Sequence, residues 1–340
     1  MKAVRLYAAR DLRVEDIDPP GPPAPGWVTL RTTAAGICGS DLHNYRTGHW
    51  ISRSPSTAGH EFAGVVTGLG DGVTGLAIGD TVVADSRFWC GECYACKSGR
   101  TNVCAKLGFV GEVCDGGFAE LATLPARLVH RHDPGLDPAI AAMAEPLAVA
   151  LHAIRKQAVP SGQPVLVIGC GTIGGFVALL LSRLHEGPVL VADRNAERAS
   201  LVADVTGAKV ADLDGQSIRD ALGGQPLLYA CDATGDGRVL KTTLDLLSGG
   251  GSIALVGIAN APVELDLNVL VERETALIGC HAFIDELPEA VALLPSLAPQ
   301  LSRLIDTEIG LDEVPAAYER LLAGQSKGLK TIIRLGEAAG

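Results

Sequence analysis

Short apolar runs alternate with clusters of Gly, Pro and Asp over about the first 150 residues of the chain. Runs of this length, bounded by residues that favour turns, predict antiparallel β-strands in a barrel or sandwich-like domain. The clearest runs are Trp27–Thr33, Phe62–Leu69, Thr81–Ala84 and Phe118–Thr123.

The pattern changes near Leu151, where fully apolar runs begin to alternate with stretches of helical periodicity. Strands that are apolar on both faces and separated by helices predict a mostly parallel sheet covered on both sides, which is the doubly wound α/β architecture. Strands are predicted at Pro164–Ile168, Val189–Ala192, Leu227–Cys231, Ser252–Val256 and Ala276–Ile278, and helices at Thr172–Leu184 and Ala196–Val205.

The end of the chain combines both kinds of pattern. An apolar helical stretch lies around Pro288–Leu297, and a last apolar run covers Thr331–Leu335. This periodicity fits an extension of the α/β domain and a return to the first domain equally well.

Composition and charge restrict the function. The chain has 340 residues and a formal charge of −11. A protein that binds nucleic acid relies on basic groups to neutralise phosphate, so no nucleic-acid partner is expected. The uncharged stretch Pro164–Ser182 resembles a membrane span, but its central glycines disfavour one long helix, and no membrane partner is expected. The charged N-terminus lacks the apolar region of a secretory signal, which predicts a cytoplasmic protein.

Four of the nine cysteines lie close together, at Cys90, Cys93, Cys96 and Cys104. In a reducing cytoplasm, clustered cysteines bind metal more often than they form disulfides. Two CxxC turns and a longer return suit a closed tetrahedral zinc site, which serves structure. An iron–sulfur cluster or redox disulfides are the alternatives. The seven residues before Cys104 and the Ala105 that follows it differ from the bacterial ferredoxin spacing.

A second set of candidate ligands combines three residue types, Cys38, His60 and Glu61. A thiolate, an imidazole and a carboxylate can hold zinc and leave a fourth position open, which predicts a Lewis acid for an alcohol or carbonyl oxygen. Taken singly, a buried Cys38 or His60 is more often a packing residue than a ligand, so the prediction rests on the combination.

Two further polar residues follow Cys38. Ser40 lies two positions and His43 five positions beyond it. A hydroxyl and an imidazole at this spacing can pass a proton from an alcohol to solvent. These residues are therefore predicted as a proton relay.

The third motif is a GxGxxG pattern of Gly169, Gly171 and Gly174, which follows a predicted strand and opens a predicted helix. Such glycines let the backbone and the helix N-terminus approach a pyrophosphate. Asp193 ends the next apolar run, 24 residues after Gly169. Its carboxylate can accept hydrogen bonds from ribose hydroxyls and would repel a 2′-phosphate, which favours NAD over NADP. Arg194, the next residue, is able to accommodate such a phosphate in part.

Together these motifs resemble the zinc-containing medium-chain dehydrogenase/reductase (alcohol dehydrogenase) family, and within it the polyol (sorbitol/L-idonate) and threonine dehydrogenase branch. The resemblance covers essentially the whole chain and implies a GroES-like β-barrel catalytic domain with an inserted doubly wound Rossmann domain. The implied divisions are a catalytic domain over 1–150 with a structural zinc lobe over 88–106, an NAD-binding domain over 151–285, and a C-terminal segment over 286–340 that returns to the catalytic domain. The residues that match the zinc signature are Gly59, His60, Glu61, Gly64, Gly70 and Val73.

The resemblance also implies roles for single residues. Cys38, His60 and Glu61 match the ligands of the catalytic zinc, and Glu145 matches a carboxylate that approaches this zinc directly or through water. Ser40 and His43 match the family's relay pair. Trp50 and Phe109 are candidates for the wall of the substrate pocket. The positions that match contacts to the cofactor are Ile173, Asp193, Arg198, Val256, Gly257, Ile258 and Cys280.

The expected function is hydride transfer between a secondary alcohol or polyol, or its ketone, and NAD. The expected cofactors are NAD and two zinc ions per chain, one catalytic and one structural, and the resemblance implies a homodimer or homotetramer. An NADP-linked aldehyde or ketone reductase and a 2,3-butanediol- or threonine-type dehydrogenase are alternatives within enzymes. A zinc- and nucleotide-binding protein without turnover is the alternative from another class.

Overall fold

The computed structural model describes residues 1–259 and 261–336. The chain folds as two compact units, of which the first contains Met1–Glu145 together with the residues from Leu287 onward, and the second contains Pro146–Glu286. The last four residues of the predicted C-terminal segment, 337–340, lie outside the described residues.

The first unit is built on three sheets. Two are small, with the orders β2-β1-β4 and β7-β8. The largest has the order β10-β6-β5-β3-β18-β17, with β9 also paired to β3, and among its pairs only β17 and β18 run parallel. The strands are β1 (Lys2–Ala8), β2 (Asp11–Asp16), β3 (Trp27–Gly36), β4 (Ser56–Thr57), β5 (Glu61–Leu69), β6 (Thr81–Ala84), β7 (Arg87–Phe88), β8 (Gly108–Phe109), β9 (Leu121–Pro125), β10 (Val129–Arg131), β17 (Ile305–Ile309) and β18 (Lys330–Arg334).

β3 lies at the centre of the largest sheet and is buried over most of its length. Val28, Thr29 and Leu30 are all buried, and Arg31 alone among its ten residues is exposed, so both faces of the strand are covered. The run predicted over Phe118–Thr123 becomes a regular strand only from Leu121, because Phe118 makes irregular backbone hydrogen bonds to Ala58 and Val4. The end of the chain returns to this unit, since β18 pairs antiparallel with β3.

The second unit holds a parallel sheet with the order β13-β12-β11-β14-β15-β16. This confirms the doubly wound α/β prediction, since the apolar runs become strands and the periodic stretches become helices. The uncharged stretch that resembled a membrane span is a strand, a turn and a helix, as predicted. The strands are β11 (Val165–Ile168), β12 (Val189–Ala192), β13 (Lys209–Val210), β14 (Tyr229–Asp232), β15 (Ser252–Leu255) and β16 (Ala276–Gly279).

Polar side chains begin many of the helices. In the second unit Asn195, Asp214, Asp236 and Asp266 each accept a hydrogen bond from a first-turn backbone N–H. Among the described residues, no helix is long and apolar enough to cross a membrane. The helices are α1 (Gly39–Thr47), α2 (Tyr94–Lys97), α3 (Pro138–Ala141), α4 (Ala144–Gln157), α5 (Thr172–Leu184), α6 (Ala196–Thr206), α7 (Gly215–Leu222), α8 (Gly237–Leu246), α9 (Leu267–Arg273), α10 (Leu287–Leu304) and α11 (Val314–Leu322).

Candidate functional site

Three predicted ligands meet at one point of the first unit. Cys38 immediately precedes α1, His60 immediately precedes β5, and Glu61 is the first residue of β5. One ligand atom from each residue lies within 4.8 Å of the other two. A turn before a helix and the start of a strand therefore bring together residues that are far apart along the chain.

The carboxylate of Glu61 supplies a test of whether this cluster fits a metal ion. It is buried and forms an ion pair with the ammonium of Lys330, which also donates a hydrogen bond of 3.0 Å to the carbonyl of Ile37. Gly36 leaves room for this pair, because a Cβ atom there would collide with the Glu61 carboxylate. Within the described chain, Oε1 of Glu61 has no hydrogen-bond partner. An unpartnered buried carboxylate oxygen beside a thiol and an imidazole fits a cation such as zinc.

Neighbouring charges perturb the groups of this cluster. Burial acts to lower the pKa of His60, but the charges of Asp41 and Cys38 outweigh it and raise that pKa well above its ordinary value. Asp41 places one oxygen 3.4 Å from Nδ1 of His60 and accepts a hydrogen bond of 2.9 Å from the backbone N–H of Cys38 with the other. Burial also acts to lower the pKa of Lys330, and the charge of Glu61 raises it overall. Positive charge is thus favoured at this point.

Glu145 lies near the cluster without joining it. In the described chain, the group of atoms within 4.8 Å contains Cys38, His60 and Glu61 and not Glu145. Oε1 of Glu145 instead accepts a hydrogen bond of 2.6 Å from the hydroxyl of Ser86. Burial raises the pKa of Glu145 to about 7, against the opposing charge of His60. An approach of Glu145 to a metal stays a prediction.

The predicted relay residues lie on α1. Ser40 and His43 are both in this helix, which begins directly after Cys38. The His43 ring is 4.6 Å from the Trp50 ring and 5.8 Å from the ring of the exposed His49, measured between centroids. Asn44 is buried and accepts a hydrogen bond of 2.9 Å from the Trp50 backbone, which holds the tryptophan beside the histidine.

The four predicted cysteine ligands also come together, in and around α2. The Sγ–Sγ distances are 3.5 Å for Cys90 and Cys104, 3.8 Å for Cys93 and Cys104, and 4.0 Å for Cys90 and Cys96. All four thiols are free of disulfides. Four sulfurs about 2.3 Å from a zinc ion lie roughly 3.8 Å apart, so the arrangement fits a closed tetrahedral site.

Backbone N–H groups point at these sulfurs. The N–H of Cys93 lies 3.4 Å from Sγ of Cys90, and the N–H of Lys106 lies 3.3 Å from Sγ of Cys104. Hydrogen bonds from the backbone N–H groups of Cys96 and Ala105 lower the pKa of Cys93 to about 6. Burial raises the pKa of Cys96 to about 12, so ionisation of all four thiols requires a cation among them.

The glycine motif borders a cavity of about 1080 Å³ in the second unit. β11 ends at a turn in which Gly169 has a φ of +91°, and α5 starts three residues later, at Thr172. A Cβ atom at Gly174 would overlap the carbonyl oxygen of Gly169, so the helix can approach the turn only because residue 174 is glycine. Gly171, the residue that precedes α5, lines the cavity, so the helix begins at the cavity wall.

Asp193 lies on the wall of the same cavity. Its Oδ2 accepts a hydrogen bond of 2.6 Å from the N–H of Cys170, and its Oδ1 accepts one of 2.7 Å from the N–H of Asn195. The carboxylate therefore ties the glycine turn to the end of β12. Arg194, which the sequence placed next to it, also lines the cavity.

The structure divides the predicted cofactor residues into two groups. Four of the predicted residues line the cavity: Gly169, Gly171, Asp193 and Arg198. Arg238 and Lys241 also line it, and the sequence analysis did not predict them. Gly174 and Gly257 pack against lining residues of the cavity. A Cβ atom at Gly174 would overlap the carbonyl oxygen of Gly169, and one at Gly257 would overlap the backbone N of Gly235. Among the described residues, the predicted positions that do not line the cavity are Ile173, Gly174, Val256, Gly257, Ile258 and Cys280.

The sequence analysis did not identify three residues that lie near the cluster of Cys38, His60 and Glu61. Lys330 had a weak signal, because it directly precedes the apolar run Thr331–Leu335, and a buried lysine must pair with an opposite charge. Ser86 had none, since its bond to Glu145 depends on tertiary contacts. Glu112 had none either, although its carboxyl is close enough to His60 and Asp41 to interact with both electrostatically.

Comparison with known proteins agrees with this geometry. Residues 24–134 match the model of the alcohol dehydrogenase GroES-like domain, and residues 173–296 match that of the zinc-binding dehydrogenases. The chain is 33% identical over 264 residues to L-galactonate-5-dehydrogenase of Escherichia coli K12, covering 76% of this chain and 77% of the relative. It is 30% identical over 319 residues to a sorbitol dehydrogenase of Halalkalibacterium halodurans, covering 89% and 91%.

A solved structure matches almost the entire chain. It is a short chain alcohol dehydrogenase (rspB) of Escherichia coli CFT073 complexed with NADH, 28% identical, with a TM-score of 0.90. The match covers 98% of this chain and 99% of that one. The matched length therefore includes both units of this chain, the GroES-like domain and the Rossmann domain.

Proposed function

Because this chain belongs to the zinc-containing medium-chain dehydrogenase/reductase (alcohol dehydrogenase) family, we propose that it transfers hydride between a secondary alcohol or polyol, or its ketone, and NAD. The observation that carries this proposal is the cluster of Cys38, His60 and Glu61, in which a buried carboxylate oxygen lacks a partner beside a thiol and an imidazole. Substrates of the relatives range from a sugar acid to a polyol, so the class of reaction is better supported than the substrate.

Cys38, His60 and Glu61 would hold the catalytic zinc, with Glu145 beside them. Bound there, zinc supplies Lewis acidity that lowers the pKa of a substrate hydroxyl. Lys330 keeps the Glu61 side chain in a single position, and Asp41 does the same for the His60 ring.

Ser40 and His43 would carry the proton of the substrate hydroxyl away. The Ser40 hydroxyl accepts this proton and passes its own toward the imidazole of His43. α1 holds both residues close behind Cys38, and the ring contact with Trp50 restricts the orientation of the imidazole.

The cavity of the second unit would hold the dinucleotide. NAD supplies the hydride acceptor, while the chain binds and orients it. The N-terminus of α5 and the glycine turn favour the pyrophosphate, and Asp193 favours ribose hydroxyls over a 2′-phosphate. Its two oxygens already accept backbone hydrogen bonds, which holds the carboxylate in a fixed orientation.

The four-cysteine lobe would hold the second, structural zinc ion. No open ligand position is expected there, because four thiolates complete a tetrahedral shell. The lobe is thus proposed to contribute stability and not chemistry.

A homo-oligomer is the proposed assembly. β16 is the outermost strand of its sheet, and the adjacent α9 exposes Leu267 and Val271 by 68% and 75%. An outer strand next to an apolar helix face favours pairing with a second copy around a twofold axis. Analytical ultracentrifugation of the wild type and of a Val271→Glu variant tests this assembly.

A panel of secondary alcohols, diols, polyols and 3-hydroxy amino acids, assayed by NADH absorbance, tests the function. Zinc is measured in the same preparation, with two ions expected per chain. NAD and NADP are compared at equal concentration, and Asp193 predicts a strong preference for NAD. A preparation with both zinc ions that reduces neither nucleotide with any member of the panel would refute the proposal.

A further inference from the structure

The carboxyl of Glu112 is an acidic group next to the metal cluster that the proposed chemistry does not use. Glu112 is partly buried, and its carboxyl interacts electrostatically with His60 and Asp41. In the described chain it forms no ion pair and no side-chain hydrogen bond. Its oxygens are not among the fully buried, unpartnered atoms of the described chain, so this unpaired carboxyl is accessible to a ligand bound at the cluster.

Local contacts hold the backbone of Glu112 in place. The N–H of Glu112 donates a 3.0 Å hydrogen bond to the carbonyl of Phe109, and the hydroxyl of Ser52 donates one of 2.9 Å to the carbonyl of Glu112. Gly111 lies against the turn before His60, since a Cβ atom there would come within 3.2 Å of the backbone N of Gly59. The loop with Glu112 is therefore fastened to the segment that supplies a ligand.

The cations nearby already have partners. Lys330 pairs with Glu61, and Arg53 pairs with Asp115. Asp41 and Glu145 are further acidic groups near the cluster of Cys38, His60 and Glu61. A negatively charged group on a substrate would therefore lie near carboxyl groups, and Lys330 and Arg53 would not be free to pair with it.

We propose that Glu112 contacts the substrate and selects its class: it accepts a hydrogen bond from a hydroxyl or ammonium group next to the reacting carbon, and disfavours a carboxylate or phosphate there. The proposal rests on the proposed function of the site. It predicts that neutral polyols, diols and amino alcohols are substrates, and that sugar acids and sugar phosphates are poor ones.

The burial of Glu112 agrees with this role. Burial raises the pKa of its carboxyl to about 7, and the charge of His60 opposes this shift only in part. A hydroxyl or ammonium donor from a ligand would supply the hydrogen bond that the protein leaves unmade. When the Glu112 carboxyl is ionised, above about pH 7, a carboxylate from a ligand would add repulsion instead.

The test compares matched neutral and anionic ligands in the zinc-loaded enzyme. The pairs are 1,2-propanediol with lactate, 2,3-butanediol with 3-hydroxybutanoate, and sorbitol with sorbitol 6-phosphate. For each pair, the ratio of kcat/KM, neutral over anionic, is measured in the wild type and in Glu112→Gln. We expect a ratio well above one in the wild type and a decrease of about ten- to a hundredfold in the variant.

Two variants serve as controls. Asp18→Asn removes the same charge from an exposed position of the first unit and should leave every ratio unchanged. Glu112→Asp keeps the charge and should retain most of the preference. The zinc content of all variants is measured, so that loss of metal is not mistaken for loss of selectivity.

A binding measurement separates this inference from the proposed function. The rise in Tm at saturating ligand should be larger for the neutral member of each pair in the wild type, and this difference should shrink in Glu112→Gln. If turnover is absent while this pattern holds, the proposed function fails and the role of Glu112 stands. An unchanged ratio and an unchanged Tm difference in Glu112→Gln would overturn the inference, whatever the activity.

Discussion

The cavity of the second unit and the Cys38 cluster of the first unit are formed by different kinds of group. The cavity contains a glycine turn in its wall, and the carboxylate of Asp193 holds that turn through a backbone N–H. The cluster is built from titratable side chains, and two of them have partners from other elements: His60 lies beside Asp41 and Glu61 pairs with Lys330. Lys330, for example, reaches Glu61 from the last strand of the described chain.

This difference has an energetic meaning. Backbone N–H groups are present whatever the side chains, so a glycine turn needs only the absence of Cβ atoms at the closest approach. Buried charges require compensation, and removal of one partner leaves the other without hydration. We therefore expect the Cys38 cluster to respond to charge changes and the glycine turn to respond to volume changes.

The largest expected effect separates the two metal centres. Cys38→Ser should reduce kcat/KM by about a thousandfold, because loss of one ligand removes several kcal/mol of Lewis-acid catalysis. Its Tm should change little. Cys93→Ser should instead lower the Tm of the first unit and release one zinc ion, because a structural metal site contributes directly to folding.

Zinc analysis and tryptophan fluorescence give the readouts. All three tryptophans, Trp27, Trp50 and Trp89, lie in the first unit, so the fluorescence transition reports on that unit. An equal loss of fold in both variants would contradict the division into a catalytic and a structural centre.

The second effect concerns the buried ion pair. Lys330→Met should lower the unfolding free energy of the first unit by about 3–5 kcal/mol in chelated protein, because the Glu61 carboxylate is left buried without a counter-charge. The loss should be smaller with zinc bound, because the ion supplies positive charge. Denaturant unfolding followed by tryptophan fluorescence measures both states.

The matched control is Lys2→Met. Lys2 pairs with Asp312 at 2.6 Å, but the two side chains are exposed by 38% and 68%. A surface pair contributes about 1 kcal/mol or less. Equal losses in the two lysine variants would show that burial of the Glu61 pair has no special weight.

The third effect concerns the glycine turn. Gly174→Ala should destabilise the second unit by about 1–3 kcal/mol and raise the KM for the dinucleotide, because the new Cβ atom overlaps the carbonyl of Gly169. Gly279→Ala is the control, since no heavy atom lies within 4 Å of its added Cβ atom and Gly279 does not line the cavity. Hydrogen exchange of β11 and cofactor titration compare the two, and similar results for both would argue against the close approach.

The fourth effect concerns a buried histidine–carboxylate contact of the second unit. His152 and Glu286 are buried, with His152 Nδ1 2.9 Å from Glu286 Oε1. Burial acts to raise the pKa of Glu286, but hydrogen bonds from His152 and from the backbone of Ile284 lower it to about 2. A depressed pKa stabilises the folded state above the unfolded value near 4.3, and this contribution is lost as the pH falls toward 2.

Glu286→Gln is the variant that isolates this contribution. At neutral pH it should be less stable than the wild type by about 2 kcal/mol, and the difference should shrink between pH 5 and pH 2. Hydrogen exchange of the second unit at several pH values measures it. A difference that is constant with pH would mean that the carboxylate charge does not contribute.

Regular patterns explain how much was predictable. The helix predicted over Thr172–Leu184 and the strand predicted over Val189–Ala192 have these bounds in the structure, because apolar periodicity directly reflects which faces are buried. The four cysteines of the lobe were predictable for a similar reason: their spacing along the chain already brings the sulfurs close together. Phe118 shows the limit, since its buried segment is held by irregular hydrogen bonds that no periodicity records.

The sequence by itself determined the β-domain and the doubly wound α/β domain, the four-cysteine lobe, and the glycine turn with Asp193. It also determined the chemical types of the three residues Cys38, His60 and Glu61. These depend on local periodicity, on spacing and on side-chain chemistry. Only the tertiary structure decided that Lys330 pairs with Glu61, that Ser86 holds Glu145, and that Glu112 lies within electrostatic range of His60. Such pairings depend on where distant elements cross in the interior, where a charge is stable only with a partner whose position no local pattern encodes.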